Sequence, residues 1–85
     1  MMQLLAARLD RTGYILVNAR LDQYPAFFYI DPEAVDAGLG TPWSNAAEAL
    51  AKLQTQWQQL APALAKLVRR HGNDFVVTPE MLRHP

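Results

Sequence analysis

TPWSNAAEALAKLQTQWQQLAPALAKLVRRHG, residues Thr41 to Gly72, is the stretch whose reading decides the fold. Its large apolar residues, Leu50, Leu53, Trp57, Leu60, Leu64 and Leu67, recur at alternating intervals of three and four. That spacing puts all six on one stripe of a helix, which must be buried. The start is marked at Thr41-Pro42 or, one turn later, at Ser44 or Asn45, where Asn45 and Glu48 have capping-box spacing. Glu48 and Lys52 form an i,i+4 pair in the favourable order. Arg69, Arg70 and His71 suit the negative end of the helix dipole, and Gly72 suits the position just past it. Pro62 falls on the face opposite the stripe. An unbroken helix of this length would span about 45 Å, against about 30 Å for the width of a compact domain of this size. The helix is therefore expected to break near Gln58 to Pro62, or else to overhang onto another subunit.

Outward from the helix, the preceding chain reads as strands that can cover the stripe. Met2 to Asp10 is short and apolar, and Asp10-Arg11-Thr12-Gly13 closes a hairpin onto Tyr14 to Leu21. In that second strand Ile15, Val17, Ala19 and Leu21 share one face, the core side. Asp22 to Pro25 reads as a turn and Ala26 to Ile30 as a third strand, with Phe28 and Ile30 on one face and Phe27 and Tyr29 on the other. A strand apolar on both faces is either covered twice or offers a patch to a partner. Asp31-Pro32-Glu33 opens a short helix that Gly38 and Gly40 stop, and Thr78-Pro79-Glu80 opens a last turn after a strand at Asn73 to Val77. The expectation is one α+β domain over residues 1–85: a small antiparallel sheet of three or four strands on one long kinked helix, in the order β-β-β-α-β with short helical turns.

Composition narrows the function. Eight basic and eight acidic residues give zero net charge, so nothing draws the whole molecule to nucleic acid or an anionic membrane. There is no cysteine, which excludes disulfides, thiolate catalysis and cysteine-ligated zinc. Met1 to Ala7 lacks a basic leader and is interrupted by Arg8 and Asp10, and no apolar run reaches membrane-span length. A cytoplasmic protein is expected.

The side chains offer no catalytic set. His71 and His84 sit at a helix end and a terminus, the single serine, Ser44, stands at a helix start, and no metal-ligand spacing, phosphate loop or carboxylate pair is present. A non-enzymatic protein without cofactor or metal is expected. Surplus aromatics are the better clue: Tyr24, Phe27, Tyr29 and Trp43 cannot all be covered by one helix, and Gln54 and Trp57 offer a second contact on the helix. These six are the candidate contacts for another protein or complex. The basic cluster Lys66, Arg69 and Arg70 supports the alternative, a nucleic-acid contact, but lacks interleaved aromatics and is disfavoured. Homodimerisation through an edge strand or the helix is compatible with both.

Gly38-Leu39-Gly40-Thr41 followed by Asn45-Ala46-Ala47-Glu48-Ala49-Leu50, within a β-β-β-α-β order, resembles the partial RNase-H-like module of HicB-type antitoxins. That resemblance implies an antitoxin or regulatory module, although no DNA-binding helix-turn-helix or ribbon-helix-helix follows Val77. Thr78-Pro79-Glu80-Met81-Leu82-Arg83 after a short strand is similar to small phage and mobile-element inhibitors of the anti-CRISPR kind. That second resemblance implies a protein that works by occluding a surface of a host complex.

Overall fold

A computed structural model describes all 85 residues. The elements are β1 (Met2–Leu9), β2 (Ile15–Leu21), β3 (Tyr24–Ile30), α1 (Pro32–Leu39), α2 (Ala46–Thr55), α3 (Trp57–His71), β4 (Val76–Val77) and α4 (Pro79–Arg83). The α+β class is as the sequence indicates. The sheet runs β1-β2-β3-β4, antiparallel through its first three strands, but β4 joins β3 in parallel, so the sheet is mixed. With principal extents of 33 × 26 × 21 Å, the domain has no room for a straight 45 Å rod.

The long stripe is accordingly two helices. The break falls at Gln56 (φ −117°, ψ 28°), six residues before Pro62 and upstream of the expected Gln58–Pro62 segment. Pro62 is carried on the solvent side of α3. The elbow turns Trp57 inward, where it is 8% exposed and its indole Nε1 donates to the Met2 carbonyl at 3.0 Å. From there Leu60, Leu64 and Leu67 continue the buried stripe, joined by Ala65 and Val68. In α2 it is Ala49 and Leu53 that are buried, while Leu50 lies at the core's margin. The helix starts at Asn45, whose Oδ1 accepts from Glu48 N at 2.9 Å. Thr41-Pro42 opens no helix, because the Thr41 hydroxyl is engaged with Asp36 instead.

Strand faces follow the alternation. Ile15, Val17, Ala19 and Leu21 meet Ala26, Phe28 and Ile30 on the covered side, and Phe28 stacks on Phe75 at 5.6 Å between centroids. The second hairpin is tighter than expected. Its turn is Asp22-Gln23 alone, both at positive φ (49° and 75°), a type I′ geometry that matches strand twist. Tyr24 and Pro25 belong to β3. Pro25 is tolerated because the backbone nitrogens of Phe27, Tyr29 and Asp31 point toward β4, so the register aims the proline nitrogen at the same edge, beyond the last paired residue. The C-terminal strand is short: β4 is two residues, and before it Asn73 stands in for backbone, its Oδ1 accepting from Phe27 N at 3.1 Å.

Two caps behave as read: Asp31 accepts from Glu33 N at 3.0 Å and Thr78 from Met81 N at 3.3 Å. Gly40, at φ 71°, ends α1. Gly38, expected as a stop signal, lies inside α1, where a Cβ would sit 2.7 Å from Leu60 Cδ2; it sets how closely α1 approaches α3.

Gln23 has no side-chain reason to favour the left-handed region, which costs an L-residue about 1–2 kcal/mol. Gln23→Gly is expected to raise stability by about 0.5–1 kcal/mol after the entropy cost of glycine is deducted. Urea unfolding measures it, and a lowered midpoint would show that the turn is not strained.

Candidate functional site

All four helices lie on one side of the sheet or at its end, so the other face is open. Register defines that face in three rows across the strands: Arg8, Leu16, Tyr29 and Val76; then Ala6, Asn18 and Phe27; then Gln3, Arg20 and Pro25. Phe27 is 42% exposed, and Leu16, Tyr29 and Val76 are partly exposed beside it. The apolar groups thus form a continuous patch over β2, β3 and β4, bordered by Arg8 on β1 and by Arg20 further along β2. Neither Arg8 nor Arg20 makes an ion pair, and no acid occupies the face. Four residues along β2 separate the two arginine rows, about 13 Å at 3.3 Å per residue.

Sequence alternation found Phe27 and Tyr29 but not the arginines, for a physical reason. Counted from Met2, Arg8 would share the buried phase. A β-bulge between Leu4 and Ala6 inserts Leu5 and shifts the phase, so that Ala7 and Leu9 face inward and Arg8 faces out. Counting back from the hairpin at Gly13, with Leu9 opposite Ile15, recovers the correct face.

The remaining expected contacts disperse. Tyr24 is 75% exposed but stands at the turn end of β3, on the helix side of the sheet beside Arg69 and Asn73. Trp43 is exposed on the connection between α1 and α2. Trp57 is a core residue. Gln54 donates through Nε2 to the Ala7 carbonyl at 3.3 Å, so it and Trp57 both serve the outer edge of β1. Gln56, Gln58 and Gln59 line, with Met1 to Leu4, a shallow groove alongside that edge.

The basic helix end is partly neutralised. Arg69 pairs with Asp22 at 3.2 Å, and the same carboxylate takes the N-terminal ammonium at 2.7 Å. Those two hydrogen bonds, that of the ammonium first, hold the Asp22 carboxyl below its ordinary range. Lys66 and Arg70 remain exposed beside it.

One polar cluster was not legible in the sequence. Asp36, 4% exposed near the end of α1, accepts from Thr41 Oγ1 at 2.5 Å and Lys52 Nζ at 2.6 Å, while its Oδ2 is buried without a partner. Lys52 therefore reaches across to α1 instead of pairing with Glu48. Burial pushes the Asp36 carboxyl up, but the Lys52 and Thr41 hydrogen bonds with the Lys52 charge outweigh it, and the net shift is downward. This cluster ties α1, the Thr41–Asn45 connection and α2 together. It sits away from the open face and has the partners of a structural ion pair. No three His, Asp or Glu side chains converge as metal ligands, and no helix is long and apolar enough to cross a membrane.

No protein family matches the chain, and neither a curated protein nor a solved structure does.

Lys52→Met strands a buried carboxylate and is expected to cost about 3 kcal/mol at pH 7. Because the folded Asp36 pKa lies below 3.8, its pairing stabilises the fold above that pH and the contribution is lost as pH falls through the folded pKa. Without Lys52, burial prevails and the protonated acid is favoured, so the deficit should shrink below about pH 4. Denaturation at pH 7 and pH 3 tests this; a deficit independent of pH would show that Asp36 carries no charge in the fold.

Proposed function

We propose that this protein is a non-enzymatic protein-binding module whose contact surface is the open face of its sheet. What supports the reading is one observation: a four-stranded sheet covered on one side only, with Phe27, Tyr29, Leu16 and Val76 exposed or partly exposed beside two unpaired arginines. Aromatic residues and arginine carry disproportionate energy at interfaces, because they desolvate large area and keep a polar handle. The absence of acid on the face favours a partner whose own surface is acidic around an apolar centre. Occlusion of a host-complex surface by a mobile-element inhibitor is one form such binding takes.

The nucleic-acid alternative has less support. Arg69 is already paired to Asp22, and a face with two cations is a weak electrostatic platform for a polyanion. A HicB-like regulatory role would have to use the same open face.

Self-association through the open face or the β1 edge is disfavoured. Face-to-face pairing with β1 over β1 would bring arginines against arginines, and on the β1 edge the Met2 and Ala7 carbonyls are taken by Trp57 and Gln54. Light scattering across a concentration series is expected to return the monomer mass of 9.6 kDa. A stable dimer would assign the exposed apolar surface to a second copy.

The double variant Phe27→Ala/Tyr29→Ala should retain its circular dichroism and lose capture of its partner, whereas Trp43→Ala should retain both. Capture undiminished in the first variant, with the fold intact, would remove the open face as the contact.

A further inference from the structure

Resting on the reading of the open face as a protein contact, we infer that the element it receives is an amphipathic α-helix with an acidic flank, laid along the strands. The backbone of the sheet decides between a helix and an extended segment. On a sheet face the N–H and C=O groups point sideways within the sheet, so the face offers side chains only. An extended segment pressed on it would bury its own backbone groups without partners, at a cost comparable to a lost hydrogen bond for each. A helix satisfies those groups internally and can be desolvated without that penalty. The helices of this chain cover the opposite face by the same means, and a helix on the open side would complete a three-layer arrangement.

The side chains set its chemistry. Phe27 and Tyr29 lie on β3, with Leu16 on β2 and Val76 on β4 to either side, so the apolar stripe of the incoming helix would run over β3. Arg8, on β1, and Arg20, on β2, both lie to the β1 side of β3, in rows about 13 Å apart at the strand rise. Along a helix, residues seven or eight apart share a flank and rise about 10.5–12 Å at 1.5 Å each, within about 1–3 Å of that separation, a gap that long arginine and glutamate side chains span. The predicted partner segment therefore carries an apolar stripe with two acids spaced by seven or eight positions along one border. A second copy of this chain does not supply it: the apolar stripe of α2 and α3 is already buried against the sheet.

The test uses peptides and the full-length protein labelled with nitrogen-15. The probe is an 18-residue peptide held helical by a side-chain lactam, with a leucine stripe and two glutamates eight apart on its border. One control carries lysine at both glutamate positions; another has the same composition with prolines that prevent a helix. The expected result is movement of the amide signals of Leu16, Asn18, Phe27 and Tyr29 with the glutamate helix, and binding about tenfold weaker for the lysine helix. The preference should invert in Arg8→Glu/Arg20→Glu, whose spectrum also reports that the fold is kept. Equal or tighter binding of the proline control at the same signals would overturn the helix and leave the open-face reading standing. Perturbation by no peptide, or only of α2 and α3 signals, would overturn both. Movement of Phe27 and Tyr29 with an oligouridine and not with the glutamate helix would overturn them in favour of a single-stranded nucleic acid.

Discussion

The chain contains one long apolar helical stripe, and a single stripe can cover only one face of a sheet. That constraint governs the rest of the structure. Leu53, Trp57, Leu60, Leu64 and Leu67 are consumed against Ile15, Val17, Phe28 and Ile30, and the short helices α1 and α4 close the end of the same layer through Val35 and Leu82. No further apolar helical stripe is left over to return across the outer side of the strands. Phe27 and Tyr29 are exposed or partly exposed as a consequence of topology, on a strand whose alternate residues are wholly buried. Their exposure costs solvation free energy that a fold under selection for stability alone would shed by a polar substitution.

The cover has to bend to fit, and the bend depends on polar contacts more than on proline. At Gln56 the helical ladder is interrupted and Trp57 swings beneath β1, where its indole binds the Met2 carbonyl. On the far side of the elbow, Lys52 and Thr41 converge on the buried Asp36 and fix α2 against α1. Removing a hydrogen-bonding partner from such a site leaves a desolvated group behind, so these contacts specify the arrangement even where their net contribution to stability is small. The unpartnered Asp36 Oδ2 is the visible cost of placing a carboxylate there.

Legibility in the sequence follows the range of the interaction. The stripe from Leu53 to Leu67, the buried phase of Ile15 to Leu21, and the Asp31 and Thr78 caps all rest on neighbours within a few positions, and pattern alone reveals them. The partner of Lys52 does not. Glu48 is near in sequence, but tertiary approach brings Asp36, sixteen residues away, into a drier site where the pairing is stronger. The Asp22-Gln23 turn is obscured because it lacks the glycine that usually announces it. The open face was half visible: Phe27 and Tyr29 stand out by alternation, while one inserted residue at Leu5 hides Arg8 in the wrong phase.

How the edges are finished explains why association should run through the face. The outward carbonyls of Met2 and Ala7 on β1 are taken by Trp57 and Gln54, and the bulge at Leu5 interrupts the ladder between them. On the opposite edge, the chain from Asn73 to Val77 covers β3 from Phe27 to Asp31, and Pro25 removes the next donor. An edge contact recognises backbone, which every chain possesses, and so it discriminates poorly. A face contact recognises side chains: the ring of Phe27, the phenol of Tyr29 and the two guanidinium groups. With both edges partly blocked and one face open, the molecule limits indiscriminate strand pairing and keeps the interaction whose selectivity depends on the partner's own side chains.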